Sequence, residues 1–203
     1  MQLPGRKTYL LEPYTEIKRL PRISTARELS RVAKSSPFAK AVLPLVSKNY
    51  GSTLRAFNRL RVTRKFIEGG LLSAFLICET EDSTPMQGAT DTPTTTIAGV
   101  ASAQPYNIGE APTGVPDASK MRTTELSYWL SAATDPSQRA HNVVVEQLLD
   151  HIPQEAHPWM AVPHDQVRVG KALRIAGFVA VTEAAMVELG DDCPVPREIW
   201  IRP

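Results

Sequence analysis

Glu125 and Tyr128 stand in an alternating stretch, Thr123 to Ser131 (TTELSYWLS). The carboxylate can serve as a general base, directly or through a water, and the phenol is a second proton-handling group. The same residues also fit a plain strand, with a polar side chain turned outward and an aromatic packed inward. Further along, Arg139, Ala140, His141 and Asn142 open a helical pattern. Backbone N–H groups and the helix dipole favour an anion there, although solvated first-turn residues need no ligand. Arg168, Lys171 and Arg174 recur at helical spacing and can either reach phosphates or face water. His157 and His164 flank Trp159 to Val162. His164 falls at the C-terminal end of that strand, where ligands gather in open α/β sheets, and a structural histidine accounts for it equally. The histidines lack the spacing of a metal site, and Cys78 reads as a buried apolar residue.

These residues sit in a chain of 203, with 42% hydrophobic and 22% charged residues. That composition predicts one globular domain over 1–203 and excludes a disordered or collagen-like chain. No apolar run approaches the roughly 18 residues of a membrane span. Met1 to Arg6 contains a proline and no apolar stretch follows, so no secretory leader is expected. Two cysteines are too few for a disulfide framework. The expected location is cytoplasmic.

The net charge of +2 conceals a split. Residues 1–65 carry 15 Lys and Arg against 3 Asp and Glu, a balance of +12. Residues 66–203 carry 8 against 18, a balance of −10. Either the two parts neutralise each other or the first presents a basic face to a polyanion. Arg55, Arg59, Arg61, Arg64 and Lys65 can contact nucleic-acid backbone, with Phe57 and Phe66 interleaved.

The elements that must position these groups follow from periodicity. Lys7 to Tyr14 reads as a strand. Helices follow from Ser24 or Thr25 to Lys34, over Ala39 to Val46, and from Gly51 to about Glu68, stopped by Gly69-Gly70. Leu71 to Glu79, Thr96 to Gln104 and Thr123 to Ser131 read as strands, separated by long loops at 81–95 and 105–119. Asp135-Pro136-Ser137-Gln138 predicts a helix capped by Asp135, with Val144, Val145, Leu148, Leu149 and Ile152 as its apolar stripe. A short strand at Trp159 to Val162, a helix from Asp165 to Gly177, and strands at Phe178 to Leu189 and Glu198 to Arg202 complete the order. This alternation predicts a mixed α/β sheet with helices on both faces.

The element order resembles the GNAT superfamily of acyl-CoA-dependent N-acyltransferases. Thr124-Glu125-Leu126-Ser127-Tyr128-Trp129-Leu130 resembles the E-(I/L)-x-Y-W-(L/I) strand of the branch that acetylates ribosomal-protein N-termini. Arg174-Ile175-Ala176-Gly177-Phe178 resembles the (E/K)-K-L-G-F ending of that superfamily's last helix. The resemblance covers about 96–203 closely and 7–80 by element order. It implies about seven strands, mostly antiparallel, with a central parallel pair splayed to admit acetyl-CoA. The basic segment 1–70 would flank a cleft-bearing segment 71–203.

The resemblance also implies roles. Glu125 and Tyr128 become the candidate catalytic residues, acting on an amine acceptor. Leu130 and Ser131 would offer strand backbone to the thioester. A (Q/R)-x-x-G-x-(G/A) loop binds pyrophosphate in these enzymes, which places Arg139, Ala140, His141, Asn142 and Val144 on it, with Asn142 and Val144 replacing the small residues. Gln166 stands where the superfamily often has Asn, Lys171 can reach CoA phosphates, and Leu173 replaces the general-acid tyrosine. The leading expectation is an N-acetyltransferase. Its rivals are a GNAT-fold binding or assembly module without acetyl-CoA, and a nucleic-acid-directed protein, aminoacyl-tRNA included, using the basic residues 1–65. A homodimer is compatible with either.

Overall fold

The computed structural model describes residues 7–13, 27, 73–81, 95–111, 114–131, 137–164, 166–181 and 197–203. Their elements are β1 (Lys7–Pro13), β2 (Ser73–Glu81), β3 (Thr95–Tyr106), β4 (Thr123–Leu130), α1 (Gln138–Asp150), β5 (His157–Pro163), α2 (Val167–Ile175), β6 (Val179–Ala180) and β7 (Arg197–Ile201). They form a seven-stranded sheet in the order β1-β2-β3-β4-β5-β7-β6. Only β4 and β5 pair in parallel; the other neighbours are antiparallel. This is the mixed α/β sheet expected, but both helices among the described residues pack on one face of it.

Strand alternation divides the side chains between two faces. Tyr9, Leu11, Phe75, Ile77, Leu126, Tyr128 and Leu130 turn to the face on which α1 and α2 pack. Val144, Val145 and Leu148 of α1, with Val169, Ala172 and Leu173 of α2, complete that core. Burying each large aliphatic side chain there contributes on the order of 2 kcal/mol. The opposite face is buried as well. Trp159 and Ile199 pack there with Val115 and Ala118 from the segment between β3 and β4. The helices expected over 24–34, 39–46 and 51–68 lie outside the described residues. So do most of the basic residues 1–65 and the segment 182–196.

Three local devices fix the frame. Gln147 of α1 bonds the outer edge of β1, accepting from the Leu11 N–H at 2.7 Å and donating to the Tyr9 carbonyl at 3.0 Å. An edge strand's open hydrogen-bonding row is thereby partly closed. Gly99 of β3 lies so close to β4 that a Cβ would overlap the Trp129 carbonyl oxygen. At the end of α2, Gly177 takes φ +88 and the Phe178 N–H reaches back to the Leu173 carbonyl at 2.9 Å, the glycine stop expected there.

Most element boundaries shift by one or two residues, as β5, which spans His157–Pro163, shows; three shifts bear on the site. β3 continues through Pro105 to Tyr106, two residues into the expected loop. The cap of α1 is Ser137, whose hydroxyl accepts from the Ala140 N–H at 3.3 Å, so the helix starts later than Asp135 implied. Likewise, α2 starts at Val167 after Gln166, which makes no side-chain capping bond.

Candidate functional site

β4 and β5 pair over only Thr123↔His157, Thr124↔Pro158 and Glu125↔Trp159. Beyond that, β4 continues to Leu130 along β3, while β5 follows β7 to Pro163. The central strands open into a V with Glu125 at its vertex. Along the open arm, the Ser131 N–H points away to the Ala98 carbonyl of β3 at 2.7 Å. Amide directions alternate along a strand, so the Leu130 N–H points into the V.

Glu125 faces away from the helices. There Tyr106 donates its phenol to Oε2 at 3.0 Å, and the Tyr106 ring lies 6.2 Å from that of Trp159. Burial raises the Glu125 carboxyl above its ordinary range, while the Tyr106 bond and the Arg197 charge pull it partly back. Burial and the Glu125 carboxylate push the Tyr106 phenol far up, which keeps it a donor. Next along the same face, the Ser102 and Ser127 hydroxyls share a 2.7 Å bond.

Tyr128 lies on the opposite face of β4 from Glu125, the inward-packed alternative that alternation offered. It lies on the helix face, 4% exposed, with its hydroxyl 3.0 Å from His141 Nδ1. Burial alone drives this phenol far up, so it holds its proton. His141 is wholly buried and lowered to about 4, first by burial and then by the Arg168 charge. The neutral imidazole and phenol form a buried latch between β4 and α1. The phenol facing Glu125 is instead Tyr106, which the loop assignment concealed. Its signal was register: Tyr106 lies opposite Thr123, diagonal to Glu125 on the same face.

The start of α1 also shifts the first turn relative to the residues expected on a phosphate loop. The His141 N–H is already held by the Ser137 carbonyl at 3.3 Å, so Asn142 and Val144 lie within the helix. Val144 is 1% exposed and packs in the core, as does Ala140; neither side chain borders a phosphate. The first-turn amides before that ladder are those of Gln138 and Arg139. Gln138 Nε2 donates to Asn142 Oδ1 and to the Arg168 carbonyl, both at 3.0 Å, tying the N-terminal turns of α1 and α2 together. Arg139 and Lys171 are exposed, Gln166 is half-buried, and Leu130 and Ser131 are buried. His164 bonds Glu198 at 2.7 Å in the open, away from the vertex.

No protein-family model matches the chain, and no curated protein matches it in sequence. In three dimensions it is similar to the ribosomal L7/L12 α-N-protein acetyltransferase RimL in complex with coenzyme A. The TM-score is 0.60 at 12% identity, covering 98% of this chain and 96% of that one. It is also similar to Mycobacterium smegmatis RimJ in complex with CoA-disulfide, with TM-score 0.61, 13% identity, and 98% and 83% of the two chains covered. The microcin C7 self-immunity acetyltransferase MccE in complex with acetyl-CoA and AMP gives 0.57 at 14%, covering 90% and 88%. This likeness, with the seven-stranded sheet and its one parallel pair among the described residues, shows the GNAT fold. Among the described residues, no helix is long and apolar enough to cross a membrane.

Proposed function

We propose that the chain is an acyl-CoA-dependent N-acyltransferase that moves an acetyl group to an amine by direct attack. The observation that carries this is Glu125, a half-buried carboxyl with a raised pKa at the vertex of the V, held by Tyr106. The residues present suit acetyl-CoA. The Gln138 and Arg139 amides and the α1 dipole suit a pyrophosphate, with the Arg139 and Arg168 side chains as cations at the two joined helix starts. The open arm of β4 suits a pantetheine amide.

Acetyl-CoA supplies an activated thioester carbonyl. The Leu130 N–H is the strand donor directed to that side. An ammonium group cannot attack a thioester, so Glu125 removes the acceptor's proton directly or through one water. A raised carboxyl pKa brings the base nearer the amine's, which eases the transfer. Tyr106 orients the carboxylate. Leu173 fills core and donates nothing, so the thiolate leaves unaided.

A second reading, a GNAT-fold binding module without acetyl-CoA, is favoured by one fact: no glycine occurs between Gly114 and Gly170. Thermal-shift titration with acetyl-CoA and CoA separates the two. Ligand at 100 times its dissociation constant stabilises by about 2.7 kcal/mol, and absence of any shift removes the first reading. A nucleic-acid partner, including an aminoacyl-tRNA as the amine donor, rests on the +12 balance of residues 1–65. Its test is the salt dependence of RNA binding, with Arg55, Arg59 and Lys65 reversed to Glu flattening the slope.

A further inference from the structure

α1 and α2 lie side by side on one face of the sheet. They run the same way. α1 returns from β4 to its parallel neighbour β5, and α2 returns from β5 to β6, which is parallel to β5 because both pair antiparallel with β7. The Gln138 bond to the Arg168 carbonyl holds their first turns level. Each helix turns one side to the sheet and leaves the other to solvent.

The two solvent sides carry opposite charge. α2 exposes Arg168, Lys171 and Arg174 and contains no carboxylate. Residues 66–203 hold only 8 basic residues against 18 acidic ones, and three of the eight stand on this nine-residue helix. α1 exposes Glu146 and Asp150 in its C-terminal half, which has no Lys or Arg. Among the described residues, none of Glu146, Asp150, Lys171 and Arg174 makes an ion pair. Arg174 is held in place over the Trp200 ring at 5.7 Å. At 1.5 Å per residue, Arg174 lies about 9 Å along α2 from Arg168, and Glu146 about 12 Å along α1 from Gln138, so the two charges stand at nearly one level. Val167 and Ile175, 61% and 63% exposed, add apolar surface at the two ends of the basic row. A phosphate backbone would match the cations alone. The aliphatic pair and the adjoining acidic row call for a protein surface with the same pattern reversed left to right.

We propose that this helix layer is the docking surface for a second copy of the chain, with α2 of each copy seated on α1 of the other. A two-fold axis running along the helices, between them, exchanges left and right and keeps every level. Lys171 and Arg174 of either copy then face Glu146 and Asp150 of the other, twice over, as an isologous interface requires. Val167 and Ile175 are covered together with the half-buried Val143 and Leu149 of the facing α1. Arg139 and Arg168, at the helix starts, are the like charges of the arrangement. The interface is separate from the vertex at Glu125 and does not depend on acyl transfer.

Sedimentation velocity tests it by charge exchange. In about 50 mM salt, the full chain should pass from the monomer mass to twice that mass between about 1 and 100 µM, and associate about tenfold more weakly in about 500 mM salt. The variant Lys171→Glu with Arg174→Glu should stay monomeric, and so should Glu146→Lys with Asp150→Lys. An equimolar mixture of these two variants should dimerise, because the mixed pair again sets opposite charges together on both halves of the interface. Circular dichroism and melting at about 1 µM, where the wild type is also monomeric, show that both variants are folded, since all four side chains are exposed. A wild type that stays monomeric at about 100 µM overturns the proposal and leaves the basic row to an acidic partner of another kind. A dimer that survives both reversals overturns it too, as do folded variants whose mixture stays monomeric.

Discussion

Replacing His141 with Gln tests the buried latch between β4 and α1. In the folded chain this imidazole is held neutral down to about pH 4, against an ordinary value of 6.5. In the unfolded chain it takes a proton below about pH 6.5. Between these limits the unfolded state binds more protons, so stability falls as pH falls. The contribution is complete above pH 6.5 and is lost progressively toward pH 4. With about 1.4 kcal/mol per unit, the whole loss is about 3 kcal/mol. Urea unfolding from about pH 7.5 to 4.5 measures it, because the other carboxylates and histidines titrate alike in both proteins. The difference between wild type and His141→Gln should be flat above pH 6.5 and shrink below it at up to about 1.4 kcal/mol per unit. Gln can still accept from Tyr128, so the comparison isolates the charge rather than the bond. Parallel curves throughout would show that His141 titrates as an ordinary surface histidine, and the neutral latch would be wrong.

Glu125→Gln should lower turnover about 100-fold or more with acyl-CoA affinity kept. It should also raise stability near neutral pH, because a carboxyl raised by folding costs stability as pH climbs from its ordinary value through the raised one; urea midpoints read this. Tyr106→Phe removes a bond that lowers the Glu125 pKa, so the acid limb of the pH–rate profile should move up. Val144→Gly should cost about 3 kcal/mol or more in urea without improving CoA binding, whereas Ser137→Gly, at the cap, should cost a few tenths and admit the phosphate more closely in calorimetry. Gly99→Ala should destabilise by at least about 2 kcal/mol in thermal unfolding, because its Cβ has no room against the Trp129 carbonyl.

The sheet was legible because alternation and periodicity are local. TTELSYWLS alternates from Glu125 to Tyr128, and the Val144–Leu148 stripe can bury itself in only one direction. The site was less legible because it depends on register. Glu125 and Tyr128 are separated by an odd number of positions, so a strand places them on opposite faces, the outward and inward alternatives that alternation offers. Tyr106 escaped because Pro105 reads as a strand breaker. It pairs with Thr124 all the same, and β3 carries one more turn of the pleat past it. The α1 boundary was misjudged because Asp135 and Ser137 are both good caps, and only the Ser137 hydroxyl bond to the Ala140 N–H distinguishes them.

That boundary matters for the chemistry. With the first turn set at Asp135, the glycine positions of a phosphate loop fell on Asn142 and Val144, and a β-branched valine would have met the phosphate. With the turn set at Ser137, Val144 packs on the sheet and the first-turn amides belong to Gln138 and Arg139. The valine is then a core residue and no obstacle to an anion. What does stand in the cradle is the Ser137 hydroxyl, which already accepts from one of its donors. An incoming pyrophosphate competes with a neutral hydroxyl for one N–H, a contest the charged acceptor wins because charge-assisted bonds are about twice as strong. On the proposed reading, the absence of glycine would weaken the close approach of a phosphate without closing the site. Under the proposed acyl transfer the two faces of β4 would divide the work: His141 and Gln138 on the helix face brace the start of α1, and Tyr106 on the opposite face holds Glu125.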